Sequence, residues 1–316
     1  MYMSGVLKRP MYGLSMIAAG ALLLGNMSAS PKPVARDNNP WFEAKSVCLF
    51  RLGTGPMPQT SDELSDALQR GWSQAIRFPD PAAVISMEQP GFPSIGALKV
   101  NLSDGQLKIT DKKDRIKLNN VIERELQIGK LEIRGEPLLV RKARIHMNLN
   151  ANSAQLVLER DRVGRPVAML QDAASGNLAF DVSVADAEAL MLHNARDVAV
   201  NYGVTVESMH LKIVAETPRS LQVSLHVATL VGFIPAGMLF KAHVNVDDGM
   251  NAKITGISID GDDALGPLIV GLLRPALVKH NNETRPLVGF PAGKLQLRDV
   301  AVRVDDSLHL TAAFGS

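Results

Sequence analysis

The sequence predicts an α+β fold in which a strongly curved, long-stranded antiparallel sheet wraps around apolar helices. Two observations predict it. From Ala97 onward, apolar side chains alternate with polar or small ones over long runs, the period-two signature of strands that bury one face. Helical spacing is confined to three stretches, and one of them, Ala264–Lys279, is apolar nearly all round, as expected of a helix buried on most sides. Strand–helix–strand alternation is missing, which disfavours a doubly wound nucleotide-binding sheet. So many long amphipathic strands imply one long sheet with a continuous apolar face. That face must be buried by helices, by a partner or by an apolar ligand.

The elements follow in chain order. Lys8 and Arg9 precede an apolar run, Met11–Gly25, and small residues continue to Ser30. This charge–apolar–small order is that of a secretory signal. Ser28 and Ser30 offer a small pair for cleavage, Pro31 disfavours cleavage there, and Met11–Ala29 is near the lower length of a membrane span. Residues 1–30 therefore read as a signal peptide or an N-terminal membrane anchor, with residues 40–316 outside the cytoplasm. Residues 31–59, with Pro31, Pro33, Pro40, Pro56 and Pro58, read as a linker. Within it, Trp41–Phe50 has room for a short strand or helix. Residues 60–316 form the domain.

Thr60 and Glu63 make a capping box, and Leu64, Leu68, Trp72 and Ile76 then recur at helical spacing. Pro79–Ser94 reads as a loop. Leu98, Val100 and Leu102 alternate up to Ser103-Asp104-Gly105, which reads as a hairpin turn. Ile128, Leu131 and Ile133 lead to Gly135-Glu136-Pro137, and Val140–Asn150 with Gln155–Arg160 reads as a second hairpin. Leu178, Phe180, Val182 and Val184 alternate into a short helix capped by Asp186. Strands then fit Val204–Ala215, Leu221–Val231, Met238–Val246 and Ala252–Ile259. Asp260, Asp262 and Asp263 before the apolar helix, and Lys279 and His280 at its end, suit the helix dipole. Lys294–Val304 and Ser307–Ala312 close the chain as a hairpin.

Composition excludes several functions. Aromatic residues are 4% of the chain, so base or sugar stacking is not a theme, and the net charge of +2 steers no nucleic acid. Cys48 is the single cysteine, which leaves no intrachain disulfide and no cysteine-based zinc site. Gly-x-Ser-x-Gly, His-Glu-x-x-His and phosphate-binding glycine loops are missing, so nucleophilic catalysis has no candidate constellation. Asp260-Gly261-Asp262 matches the Asp-x-Asp of metal-dependent glycosyltransferases but reads as a turn and helix cap. With hairpin turns near 218 and 234, His210, His226 and His243 fall in one transverse row on the face opposite Leu211, Val223, Leu225 and Val244. Three imidazoles in reach would suit zinc. An outward polar row is the preferred reading, because no carboxylate lies in it to orient a ligand. No metal, cofactor or catalytic residue is assigned.

Three stretches carry a family resemblance. They are Gly129–Leu139, with a strand running into Gly135-Glu136-Pro137; Gly176–Leu190, a strand passing into a helix; and Pro286–Val300, a Pro-Gly entry into the closing hairpin. In this order, from Leu126 to Phe314, the chain resembles the LmeA-like family of bacterial lipid-binding proteins, related to the TULIP (tubular lipid-binding) superfamily. The resemblance implies a TULIP-like fold without catalytic motif. It also implies binding of phospholipid, anionic or phosphoinositide, at the outer side of the cytoplasmic membrane. The alternative is a structural or scaffolding envelope protein with no lipid cargo. Candidate groove residues are Leu265, Leu268, Ile269, Leu272 and Leu273 on the apolar helix, Leu225 and Val244 on strands, and Phe233 and Phe240, which suit a tunnel wall or an exposed membrane-contacting rim. Candidate headgroup residues are Lys112, Lys113 and Arg115 in one basic stretch and Arg141 and Lys142 in another. The expected partners are phospholipid and a membrane surface, not nucleic acid.

Overall fold

The computed structural model describes residues 49–108, 116, 118–199, 204–278, 281–287 and 295–316. The N-terminal apolar run, its cleavage or anchoring, and most of the proline-rich linker lie outside the described residues, as do Lys112, Lys113 and Arg115.

The described chain is mostly sheet. Its strands are β1 (Leu49–Arg51), β2 (Ile76–Arg77), β3 (Ile85–Gly91), β4 (Ser94–Asn101), β5 (Gln106–Leu107), β6 (Leu118–Val140), β7 (Ala143–Asp161), β8 (Pro166–Asp172), β9 (Ser175–Ser183), β10 (Val204–Thr217), β11 (Ser220–Val231), β12 (Ile234–Val246), β13 (Asn251–Asp262), β14 (Thr284–Pro286), β15 (Gln296–Val304) and β16 (Ser307–Gly315). Three α-helices are described: α1 (Ser61–Ala75), α2 (Val184–Ala199) and α3 (Gly266–Val278).

The expected single sheet is two. An 11-stranded sheet follows the order β15-β16-β9-β7-β6-β4-β3, with β1, β2, β5 and β8 off this path, and ends open at β15 and β3. A second sheet is five-stranded, in the order β10-β11-β12-β13-β14. Helix α2 takes the chain out of the large sheet after β9, and β15 and β16 bring it back beside β9. Alternation marks the faces of a strand but not its partner, so the break between sheets leaves no trace in the pattern.

Several local expectations change. Residues 79–94 hold a 3₁₀ turn at Pro81–Ala83 and strand β3, not only loop. Ser103-Asp104-Gly105 is not a hairpin turn. Both β4 and β5 run parallel to β6 with one register, Asn101 opposite Arg134 and Gln106 opposite Leu139. The turn is an interruption in a strand that continues, so the large sheet is mixed rather than purely antiparallel. Gly135-Glu136-Pro137 lies inside β6 at a bulge and does not end it. The two segments 140–150 and 155–160 belong to one 19-residue strand, β7. Helix α2 starts at Val184 and has 16 residues. Its cap is Ser183, whose Oγ accepts the Asp186 N–H at 2.9 Å and donates to the Asp186 carboxylate at 2.8 Å.

Three buried clusters hold this together. Helix α1 packs Leu64, Ala67 and Leu68 on the large sheet against Leu98, Leu131 and Leu156. Thr60 is the expected N-cap, its Oγ1 accepting the Glu63 N–H at 3.2 Å, but the Glu63 carboxylate reaches one residue further back than a capping box requires, to the Gln59 N–H at 2.6 Å. Residues 49–59 join this core, with Leu52 and Met57 buried. That part of the expected linker is therefore fold. The helix approaches β1 closely at Gly71, where a Cβ would meet the Arg51 carbonyl oxygen at 1.7 Å. Helices α2 and α3 cover the apolar face of the small sheet. The third cluster joins the sheets: Phe180, Val182, Val302 and Leu310 of the large one meet Leu221, Val246 and Met250 of the small one.

Candidate functional site

The small sheet and its two helices contain most of the predicted groove residues. Leu225, Phe240 and Val244 are buried on the inner face. Leu225 and Phe240 share a cluster with Val206, Leu211, Val223 and Ile259, against which Met191 and Leu192 of α2 and Ile269 of α3 pack. Polar contacts seat α2 at the sheet edge. The Arg196 guanidinium donates to the carbonyls of Val206 (2.8 Å) and Glu207 (2.6 Å), and Glu188 accepts the Leu211 N–H at 2.8 Å.

Helix α3 lies on β12 and β13. Gly266, Ile269 and Val270 recur at i, i+3 and i+4, so they share one face; Gly266 and Val270 are buried and Ile269 is half-buried. Leu268 therefore points the other way and is 62% exposed. This corrects the expectation that it faces the groove. Leu265 is half-buried and donates its N–H to the Pro235 carbonyl at 3.3 Å. The side chains of Leu272 and Leu273 lie outside the described residues.

That Leu265–Pro235 contact places the start of α3 beside the β11–β12 turn. Gly232 takes the left-handed φ of 66° that this two-residue turn needs, and Phe233 follows it fully exposed, at 100%. Ile234 is also largely exposed. Phe233 and Ile234 at this turn and Leu268 in the first turn of α3 are thus exposed apolar side chains where the helix-covered layer ends. The sequence allows Phe233 as tunnel wall or membrane-contacting rim; the structure shows that its side chain is exposed. Phe240, by contrast, is interior.

The histidine row does not form as expected. His210 pairs with His226, their rings stacked at 6.4 Å between centroids. His226 pairs across to Leu239, however, and His243 sits opposite Gln222, four residues along β12. The β11–β12 turn is centred two residues earlier than a row requires. Carboxylates from outside the row do come near each imidazole. Glu188 approaches His210 (3.7 Å), Asp262 approaches His226 (3.5 Å) and Glu216 approaches His243 (3.5 Å). These are three separate surface pairs, and no group of three or more metal-ligating side chains occurs among the described residues. Asp260-Gly261-Asp262 ends β13.

Of the headgroup candidates, Arg141 and Lys142 form the β6–β7 turn. Arg141 is held by Asp197 of α2 at 2.5 Å, whereas Lys142 is exposed. A polar depression between β3, β4 and β6 has Lys99 and Arg134 in its lining, but these cations are paired with Glu88 and Glu136. Sequence reasoning passed over His309, which bridges Asp181 on the neighbouring strand and Asp305 at 3.0 Å. The i, i+4 spacing of Asp305 and His309 across a tight turn was its available signal.

No family model matches the chain, and no curated protein matches it. Among solved structures, a crystal structure of lipopolysaccharide binding protein is similar at 12% identity with a TM-score of 0.24. The match covers 52% of this chain and 53% of that one.

Proposed function

We propose that this chain is a non-enzymatic lipid-binding protein of the cell envelope. It takes acyl chains of a phospholipid into the apolar layer between the five-stranded sheet and helices α2 and α3. The observation that carries this reading is the rim: Phe233, Ile234 and Leu268 stand exposed where that layer ends. Covering such groups with acyl chain is worth about 0.8 kcal/mol per methylene removed from water. The LmeA-like resemblance of the three quoted stretches supports anionic phospholipid, phosphoinositide included, as the cargo class. Lys8, Arg9 and the run Met11–Gly25 support an envelope location.

The test is uptake of fluorescent phospholipid from vesicles by the delipidated, folded protein. Wild type is expected to take it up. The double variant Phe233→Asp, Leu268→Asp is expected to lose it by about tenfold or more, as two buried-on-binding apolar groups become charged. Its melting temperature should stay near that of wild type, because both side chains already face solvent. No uptake from vesicles of any headgroup composition would overturn the reading. One observation favours a structural protein instead: Leu225 and Phe240 are already covered by the two helices without any cargo. Native mass spectra free of lipid, together with failed uptake, would establish that alternative.

A further inference from the structure

A second apolar surface lies away from the rim, where β6 begins beside the β7–β8 turn. Leu118 is in register with Asp161, and Asn119 Nδ2 donates to the Asp161 carbonyl at 3.2 Å. Three exposed aliphatic side chains stand in these two segments. Val121 is 62% exposed, Ile122 43%, and Val163 at the turn 73%. The neighbouring charges are unequal in their pairing. Arg160 holds Glu123 at 2.9 Å and the Gly164 carbonyl at 2.8 Å, and Arg165 holds the buried Asp161 at 2.7 Å. Each of those carboxylates is thereby neutralised. Arg162 is exposed and makes no ion pair among the described residues, and it adjoins Val163 at the apex of the turn.

We infer that this pole docks on a bilayer surface that carries anionic lipid, with Val163, Val121 and Ile122 entering the interfacial region and Arg162 meeting headgroups. Three facts favour a bilayer over a protein partner. The surface is a convex turn with a few separated aliphatics, which suits a fluid phase better than a flat, complementary interface. Its exposed apex carries the cation Arg162, and a cationic residue near an anionic leaflet gains affinity for it. The chain also enters the fold here. β1 pairs with β8, the strand that leaves this turn, with Arg51 opposite Val167 and the Leu52 N–H on the Pro166 carbonyl at 3.1 Å. The apolar run Met11–Gly25 precedes Leu49 by about 23 residues, an extended reach of about 80 Å. A chain held in a bilayer by that run keeps this pole within range of the same bilayer. Docking here is independent of cargo in the helix-covered layer.

The test uses the full chain in vesicles, with Cys48→Ser and Val163→Cys, and an environment-sensitive fluorophore on the new thiol. Val163 is exposed, so the label leaves the core intact. In vesicles containing phosphatidylglycerol, lipid-borne quenchers at headgroup depth are expected to quench the probe and aqueous iodide to lose access. In phosphatidylcholine vesicles, and at high salt, the order should reverse. Adding Arg162→Glu should weaken docking by about 25-fold, about fivefold for each unit of charge changed. Phospholipid uptake by the Arg162→Glu chain should equal that of wild type, which separates this surface from the cargo site. A probe that stays open to iodide in anionic vesicles, or an Arg162→Glu chain that docks as wild type does, would overturn the inference.

Discussion

Asp161 is a carboxylate only 2% exposed, and the β7–β8 turn is organised around it. Burial pushes its carboxyl up. The N–H of Arg165, the Arg165 guanidinium and the N–H of Val163 together outweigh that and hold it below the ordinary carboxylate value. A group shifted down adds stability above its unfolded value and loses it as pH falls through the folded one. Asp161→Asn keeps the shape but loses the charge-assisted bonds. It should destabilise the protein by about 2 kcal/mol at neutral pH, and the difference should shrink in acid, as measured by urea denaturation across a pH series. His309 works in the opposite sense. Its hydrogen bond to Asp305, then that to Asp181, raises it against the opposing effect of burial. Asp305 is lowered first by the Ser307 N–H and then by His309. The imidazolium therefore stabilises fully below the ordinary histidine value and fades as pH rises through the raised one. Asp305 contributes above the ordinary carboxyl value and fades as pH falls through its lowered one. His309→Gln should flatten the loss of stability on the alkaline side and weaken, without abolishing, the part of the acid limb that Asp305 carries, since the Ser307 N–H still holds that carboxylate.

At the scale of elements, helix α3 depends on three glycines for its seat. A Cβ on Gly261 would meet the Gly266 carbonyl oxygen at 2.4 Å, and one on Gly266 would meet the Gly237 carbonyl oxygen at 2.5 Å. Backbone touches backbone there, so no side chain can move aside. Gly266→Val should lift the start of α3 from β12 and β13 and expose Ile269 and Val270. The cost should be about 1–3 kcal/mol, as for other overpacked sites. Hydrogen exchange should show faster amides in α3 while β6 and β7 stay protected. The glycines were visible in the sequence, but their meeting was not, since Gly237 and Gly261 lie on different strands. The apolar character of the helix was equally plain, yet it left open which side faces inward. A helix apolar all round carries no moment to orient it, so the sequence does not show that Leu268 faces outward.

For the whole molecule, the cluster between the sheets decides whether they unfold together. Leu310, buried there beside Phe180 and Val302, anchors the return of β16 to β9. Leu310→Ala should cost about 2–5 kcal/mol, the range for truncating a buried leucine. If the sheets form one cooperative unit, calorimetry should show a single lowered transition rather than two. Arg219 also spans the junction, to Asp248 at 2.9 Å and Asp299 at 2.7 Å. Its contacts are with exposed partners, so Arg219→Ala should lower stability far less than Leu310→Ala does.

What the sequence determined by itself is local. Alternation over Val204–Ile259 placed β10 to β13 to within a few residues, and Thr60 with Glu63 marked the start of α1. The passage from β9 into α2 and the closing hairpin were also legible, because caps, turns and two-residue periodicity act between near neighbours in the chain. Only the tertiary structure decided what depends on distant partners. It divided the strands between two sheets, laid β4 and β5 parallel to β6, and carried β6 through Gly135-Glu136-Pro137. It also separated His243 from His226, since the position of one turn sets the register of every pair along β11 and β12. The exposed groups on which both functional proposals rest, Phe233 with Leu268 and Val163 with Val121, were apolar residues like many others in the sequence. Their exposure follows from which faces the helices and the second sheet cover, and that is fixed by packing between segments far apart in the chain.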